Sequence, residues 1–217
     1  MKPVPFRTDA EVAAAIPLVV THLARGGLLA YPTETVYGLG SRAVEADVAA
    51  LATLKGRPTG KPFLLLIGDR AMAEAQGLAF NESADALARA FWPGPLTLVL
   101  LGGSGRLPDL LRGPEGGIAV RWTSHRAIAR LVASLGAPLT STSANLPGSQ
   151  PAPGAAAIAQ DFGAAADAGR LLVLDGGVLG NRPPSTVVDC TRPGARLVRA
   201  GAVTLGELRR AVGHLAP

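Results

Sequence analysis

Short apolar runs alternate with helical segments along this chain, and that alternation limits the folds open to it. The runs are bounded by Gly, Pro or polar residues, a pattern typical of buried β-strands. The segments between them carry helix-start signals, such as the capping box formed by Thr8 and Glu11. Predicted strands cover residues 28–31, 63–67, 96–101, 117–121, 139–141, 171–174, 186–189 and 197–199. Predicted helices cover residues 8–25, 46–54, 81–91, 124–135 and 155–162, and a last helix begins at Thr204.

The order of these segments predicts an α/β protein. Helices that alternate with strands pack on the faces of a sheet, which favours parallel strand pairs. Several of the predicted strands follow one another with no helix between them, which requires antiparallel pairs as well. We therefore expect a twisted, open sheet of mixed parallel and antiparallel strands with helices packed on it.

Composition excludes several classes of protein. With 48% hydrophobic and 17% charged residues among 217, the chain has enough apolar surface for a compact domain and is not disordered. Its one cysteine, Cys190, allows neither an intrachain disulfide nor a cysteine-based zinc site, and we expect it to be a small core residue in a reducing compartment. The apolar runs are far shorter than the roughly 18 residues of a membrane span. We expect a cytoplasmic protein with no membrane contact.

Most of the basic residues are arginines, and the few lysines are not evenly spread. The formal net charge is +5, and of 21 basic residues only Lys2, Lys55 and Lys61 are lysines. Two of them flank Arg57, so three cations crowd into one short segment after a predicted helix. Such a segment favours an anionic ligand.

Common catalytic and cofactor motifs are absent. Residues 56–62 are one residue short of a P-loop, and the Gly38-Leu39-Gly40 turn lacks the third glycine of a dinucleotide-binding fingerprint. His22, His125 and His214 are too far apart for a zinc helix, and no Gly-x-Ser-x-Gly sequence is present. Nothing here favours covalent or protein-bound metal catalysis.

Polar and cationic residues instead cluster where predicted strands end. Hydroxyl and amide groups follow the strands in segments 31–40, 141–145 and 185–186, and Arg121 and Arg199 end two others. Ligands of open α/β sheets bind beyond strand ends, so these residues are expected to converge on one anion-binding crevice. The alternative is that the hydroxyls and amides form turns and the arginines a solvated rim. The Gly- and Pro-rich stretches 146–154 and 176–185 are expected to be long functional loops that act as lids over such a site.

Read in order, six segments resemble the YrdC-like domain of threonylcarbamoyl-AMP synthases. They are residues 31–40, the pair Lys55-x-Arg57 with Lys61, and residues 92–97, 119–121, 141–145 and 185–189. The resemblance spans about residues 10–201. It implies a single YrdC-like domain over residues 1–217, with a large basic crevice, a core of about 10–201 and a C-terminal helix at about 204–213, as in the short members of the family.

The resemblance also implies an activity and a set of site residues. Members of the family convert L-threonine, bicarbonate and ATP to threonylcarbamoyl-AMP and pyrophosphate, and a downstream threonylcarbamoyl-transferase complex modifies an adenosine of tRNA. By resemblance, Mg²⁺ accompanies the ATP. The threonine-binding residues would be Thr33, Arg121, Ser143 and Ser185. The ATP-binding residues would be Arg57, Lys61, Asn145 and Arg199, and the catalytic pair Lys55 and Arg57 would supply charge beside the phosphates.

Two other functions remain open from the sequence. The first is an RNA-binding factor of the same fold without catalysis, since a cationic crevice also suits tRNA or another RNA. The scarcity of aromatic residues, 4% of the chain, argues against base stacking. The second is a paralogue that adenylates a different carbamoyl acceptor.

Overall fold

The computed structural model describes residues 2–57, 61–180 and 182–216, which form a mixed α/β architecture. The strands are β1 Val4–Pro5, β2 Leu28–Tyr31, β3 Gly38–Gly40, β4 Leu64–Ile67, β5 Leu78–Ala79, β6 Leu96–Gly102, β7 Ile118–Trp122, β8 Leu139–Ser143, β9 Leu171–Asp175, β10 Thr186–Asp189 and β11 Arg196–Arg199. The helices are α1 Asp9–Ala24, α2 Glu45–Lys55, α3 Arg70–Ala75, α4 Glu82–Phe91, α5 Arg126–Leu135, α6 Ala155–Asp167 and α7 Leu205–Val212, with a short 3₁₀ turn at Asp109–Leu111. None of the helices within these residues is both long and apolar enough to cross a bilayer.

The strands form one sheet in the order β1-β9-β2-β3-β8-β4-β7-β6-β10-β11, and β5 pairs with β6 off this path. The pairs β1 with β9, β9 with β2, β4 with β7, and β6 with β10 are parallel. The remaining pairs along the path are antiparallel. The predicted fold class, an open sheet with both kinds of pairing and helices packed on it, is confirmed.

Side-chain caps start the helices where the sequence predicts them. Thr8 and Thr204 each form a complete capping box, and Asn81 accepts a hydrogen bond from the backbone of Ala84. One predicted helix end is wrong. Helix α6 continues past residue 162 to Asp167, with a non-helical backbone at Phe162, because Phe162, Ala165 and Ala166 still face the core.

Residues Gly38–Gly40 form a strand rather than the turn that the sequence predicts. Gly38 and Gly40 belong to β3, which pairs with β2 and β8. A Cβ at Gly40 would lie 2.9 Å from the ring of Tyr31, and one at Gly38 would lie 3.2 Å from it. A Cβ at Gly40 would also overlap the Thr140 carbonyl oxygen, so glycine is needed there for the neighbouring backbone as well as for the Tyr31 ring. The cation-rich segment between Lys55 and Lys61 includes Pro58, Thr59 and Gly60, which lie outside the described residues.

Two apolar clusters cover the sheet. The larger lies on the face that packs against α2, α4, α6 and α7, and it includes strand residues such as Leu65, Val120 and Val188. The smaller lies on the opposite face, where α1 and α5 cover Tyr31, Leu66 and their neighbours. Because α1 and α5 cover only part of this second face, no helix within the described residues lies on the part toward β11.

Candidate active site

A cavity of about 500 Å³ occupies the uncovered part of the sheet, between β8 and β11. Every second side chain of a strand points to the same face, so alternate residues of neighbouring strands form the cavity floor. The residues between them, such as Val120 and Val188, belong to the core on the other side. The floor contains the pairs Thr97 and Val99, Ala119 and Arg121, Ser141 and Ser143, Val187 and Asp189, and Arg196 and Val198.

The structure brings most of the sequence-predicted site residues to this cavity. Six of the nine line it: Thr33, Arg57, Arg121, Ser143, Ser185 and Arg199. The other three, Lys55, Lys61 and Asn145, do not line it but bond to residues that do. Lys55 and Asn145 contact Ser143, and the Lys61 carbonyl accepts from Arg57.

Arg57 is held in one orientation at the cavity wall. It follows α2, which ends at Gly56 in the left-handed conformation (φ 58°) that glycine adopts readily. Its Nε donates to the Lys61 carbonyl at 2.6 Å and its Nη1 to the Thr142 hydroxyl at 2.7 Å. Its guanidinium carbon lies 4.5 Å from the centre of the Phe63 ring, and burial lowers its pKa. A guanidinium has five N–H groups, so donors remain for a ligand.

Arg121 is a buried cation with few protein partners. Its side chain is 4% exposed, and its Nε has no hydrogen-bond acceptor among the described residues. The Nη1 lies 3.5 Å from the Thr35 hydroxyl, and the Nε lies 3.8 Å from a carboxylate oxygen of Glu34. A buried charge with unsatisfied donors is costly, and a bound anion removes that cost.

Arg199 and Ser185 form a second cationic corner. The Nη2 of Arg199 donates to the Ser185 carbonyl at 2.8 Å and contacts its hydroxyl at 3.2 Å. The Ser185 hydroxyl also lies 2.9 Å from that of Thr97. The pKa of Arg199 is lowered by burial and by the positive charge of Arg121. Two arginines that repel each other in a shared hollow favour an anion between them.

Lys55 faces protein oxygens. Its ammonium donates to the Ser143 carbonyl at 2.8 Å, to the Asn145 side-chain oxygen at 2.7 Å and to the Asn145 carbonyl. Burial lowers its pKa to about 8, with a further contribution from the charge of Arg57. The Ser143 hydroxyl in turn donates to the same Asn145 oxygen at 2.6 Å. Lys55 thus ties down the segment that carries Ser143 and Asn145.

The hydroxyl of Thr33 is used within its own loop. It donates to the Val36 carbonyl at 2.6 Å and accepts from the backbone N–H groups of Thr35 and Val36 at 3.2 Å each. It lies 3.1 Å from the Thr35 hydroxyl. This bonding fixes the loop between β2 and β3 and places Thr35 beside Arg121.

One side of the cavity carries acids. Arg196 on β11 pairs with Asp189 at 2.8 Å and with Glu115 at 3.2 Å. Burial opposes ionisation of Asp189, but hydrogen bonds from Thr191 and Arg196 outweigh it and lower the pKa. Among the charged residues of the lining, arginines outnumber acids four to two.

Sequence reasoning assigned no role to the lining residues Thr97, Glu115, Asp189 and Arg196, whereas Thr35 and Thr142 belong to segments predicted to reach the crevice. A signal was present for two of them. Thr97 interrupts an apolar strand, and Asp189 stands two positions from Val187, so both mark a strand face that does not enter the core. Glu115 lies in a loop and offers no such pattern.

Two of the three histidines and the cysteine have structural environments. His22 bonds to the Leu28 carbonyl at 2.9 Å, and His125 caps α5 through Ile128. Cys190 is buried in the core, as predicted, and burial raises its pKa. Within residues 2–57, 61–180 and 182–216, no three His, Cys, Asp or Glu side chains are grouped to hold a metal ion. The acids of the cavity are paired with arginine, so they do not fit a metal cage.

The two long loops meet beside the site. Leu179 donates to the Pro153 carbonyl at 2.9 Å, which joins stretch 176–185 to stretch 146–154. Pro184 and Ser185 line the cavity, whereas the described residues of 146–154 do not. The second stretch includes Asn181, which lies outside the described residues. That these loops act as lids stays a prediction.

Known proteins share both this fold and this sequence pattern. A threonylcarbamoyl-AMP synthase of Thiobacillus denitrificans is 42% identical over 176 residues, which are 81% of this chain and 90% of the relative. The synthase of Pyrococcus abyssi is 35% identical over 191 residues, 88% of this chain, but the match is only 55% of that longer protein. The chain therefore spans about half the length of the Pyrococcus relative.

Comparison with solved structures also identifies proteins of the same fold. The structure of P. abyssi Sua5 complexed with L-threonine matches all of this chain and 63% of its own length, with a TM-score of 0.89 at 32% identity. E. coli YciO matches 95% of this chain and 98% of its own length, with a TM-score of 0.83 at 25% identity. A family model named Sua5_yciO_yrdC, described as telomere recombination, matches residues 21–201. Because this match covers most of the chain, the protein belongs to the Sua5/YciO/YrdC family.

Proposed function

We propose that this protein is a threonylcarbamoyl-AMP synthase, an enzyme that uses L-threonine, bicarbonate and ATP and releases pyrophosphate. One observation carries the proposal: Arg57, Arg121 and Arg199, far apart in sequence, meet in one cavity, and Arg121 is buried there with a free donor. Relatives that match most of their own length carry this name. The reaction brings together a carboxylate, a carbamate and a triphosphate, so it needs several cations in one hollow.

The threonine is proposed to lie against Arg121. A guanidinium binds a planar carboxylate with two parallel hydrogen bonds, and the free Nε of Arg121 supplies one donor. Ser143 gives its proton to Asn145, so its hydroxyl presents lone pairs that accept from a substrate amine or hydroxyl. Ser185 adds a hydroxyl beside Arg199. Thr33, whose hydroxyl is engaged in its loop, contributes by shaping the wall.

The ATP phosphates are proposed to lie against Arg57 and Arg199, with Lys61 and Asn145 at the edge of the cavity. Both arginines are fixed by carbonyl and hydroxyl acceptors, so they are ready for the phosphates before ATP binds. Mg²⁺ is proposed to enter on the phosphates of ATP, since the cavity acids are already paired. When bound, it neutralises phosphate charge.

The chemistry requires positioning rather than a protein nucleophile. The amine of threonine and bicarbonate give a carbamate with loss of water, and a carbamate oxygen then attacks the α-phosphorus of ATP as pyrophosphate leaves. Arg57 and Arg199 stabilise the charge that develops on the leaving group. Lys55 acts on this step through Ser143 and Asn145, which its ammonium holds in place.

The product is proposed to pass to a transferase complex that modifies tRNA. A cytoplasmic location is proposed on the ground that the activity uses ATP and serves tRNA modification. Direct binding of tRNA to the cationic cavity is a separate proposal, and the test described next includes a measurement of RNA binding.

The test is pyrophosphate release from ATP with threonine and bicarbonate present together and with each omitted. Release that requires both supports the synthase. Release with another amine in place of threonine identifies the paralogue that adenylates a different acceptor. No release, combined with salt-sensitive RNA binding, identifies the binding factor and rejects the proposal.

A further inference from the structure

Glu34 and Arg121 are opposite charges that are buried together and yet do not form a hydrogen bond. Their side chains are 12% and 4% exposed, and the closest recorded approach is 3.8 Å between the Glu34 Oε1 and the Arg121 Nε. In a buried site, an arginine and a carboxylate this near normally close into a hydrogen-bonded pair. Something must hold them apart.

Thr123 and the backbone after it hold the Glu34 carboxylate. The Thr123 hydroxyl donates to the Oε2 of Glu34 at 2.6 Å, and the Ser124 N–H approaches the Oε1 at 3.4 Å. The Thr123 oxygen also accepts from the His125 N–H at 3.1 Å, so its own proton is directed to Glu34. Thr123 is 1% exposed, and water does not compete for this bond.

The position of this carboxylate serves two needs. It offsets the buried charge of Arg121, which lowers the cost of keeping an empty cationic site. It also stays out of hydrogen-bond range, so the Nε of Arg121 has no acceptor in the part of the chain that the structure describes. Glu34 is not part of the cavity lining, whereas its neighbours Thr33 and Thr35 are.

We propose that Thr123 is a positioning residue that restrains the Glu34 carboxylate and thereby keeps Arg121 open for the carboxylate of the amino-acid substrate. This inference rests on the proposed function for the identity of that substrate. Without the Thr123 hydroxyl, Glu34 turns onto Arg121 and competes with the substrate.

The experiment is a double-mutant cycle with T123V, E34Q and the E34Q/T123V pair. Valine matches the shape of threonine but donates no hydrogen bond. We expect T123V to raise the threonine KM about tenfold, in line with loss of a hydrogen bond to a charged group, while the ATP KM stays within about twofold. E34Q changes the threonine KM by less than about threefold, since glutamine still accepts from Thr123 but has no charge to compete. T123S keeps the hydroxyl and rescues the KM.

The double variant decides between positioning and mere structural damage. If Glu34 is the competitor, E34Q/T123V has the threonine KM of E34Q alone. An equal loss in T123V and in the double variant overturns the proposal. If T123V fails to fold, E34Q still tests it, because a threonine KM raised more than about tenfold would make Glu34 a direct substrate ligand.

A crystal structure of T123V separates this inference from the proposed function. We expect the Glu34–Arg121 distance to fall to that of a hydrogen bond, about 2.9 Å, whatever the enzyme's substrate. A carboxylate that stays at its present distance overturns the inference even if the wild-type enzyme is a threonine-dependent synthase.

Discussion

Leu66 and Arg121 lie side by side in the register of β4 and β7, on the same face of the sheet. Leu66 packs under α5 with Ile128 and Leu131, whereas Arg121 faces the cavity. The edge of the helical layer therefore runs between these two residues. This edge explains how a guanidinium is buried beside an apolar core and is still open to a ligand on one side.

We expect Arg121→Lys to raise the threonine KM about 10- to 100-fold, with a smaller effect on the ATP KM. Lysine keeps the charge but cannot offer the paired donors that hold a carboxylate. Initial rates of pyrophosphate release with varied threonine measure the effect. Arg130→Lys, at an exposed arginine of α5, is the matched control and leaves both constants unchanged. An Arg121→Lys variant with the wild-type threonine KM would contradict this role.

Arg57→Lys is expected to lower kcat about 100-fold, as loss of a fixed cation near the reacting phosphates does in other enzymes. A lysine cannot keep the contacts that Arg57 makes with the Thr142 hydroxyl and the Lys61 carbonyl. Lys61→Ala provides the comparison, because Lys61 is exposed. We expect it to change the ATP KM by only a few fold. Equal losses of kcat in the two variants would show that orientation at Arg57 is unimportant.

Local signals in the sequence predict most of the fold. Apolar runs locate the main strands, and capping residues such as Thr8, Asn81 and Thr204 locate helix starts to within a residue or two. The strand at Gly38–Gly40 was missed because glycines have low strand propensity, and the glycines are required by close contacts with the Thr140 carbonyl and the Tyr31 ring of the neighbouring strands. Such a contact cannot be inferred until the strand pairing is known.

The site is predicted less completely, since strand order decides which residues meet. The family resemblance identifies six residues that line the cavity, and whether they bind as it implies stays a prediction. It does not identify Glu34 and Thr123, which are 89 positions apart and meet only because the β2–β3 loop lies over the end of β7. Polar residues on alternate strand positions, such as Asp189, indicate that one face of a strand lies outside the core. They do not indicate which residues of other strands lie beside that face.

The Lys55 ammonium is expected to lose its proton near pH 8. Burial and the charge of Arg57 both favour the neutral amine and lower the pKa to about 8. The neutral amine has two N–H donors for three acceptors, so turnover should fall as the pH rises through this value. Nitrogen-15 NMR of the lysine side chains measures the titration directly, because the chain has only three lysines and Lys55→Met assigns the signal. A Lys55 signal unchanged up to pH 10 would refute the prediction.

Gly40→Ala should destabilise the fold by about 1–3 kcal/mol, because the new methyl group overlaps both a strand backbone and a buried ring. The added Cβ lies 2.9 Å from Tyr31, whose hydroxyl is fixed by a 3.0 Å bond to the Thr140 carbonyl, so the ring cannot move away without losing that bond. Denaturant unfolding measures the change. Gly163→Ala is the matched control: it lies in α6 with open space around it, and alanine there is expected to raise stability by about 0.5 kcal/mol. If both variants unfold at the same denaturant concentration as the wild type, close packing of the Thr140 carbonyl and the Tyr31 ring is not what requires glycine in β3.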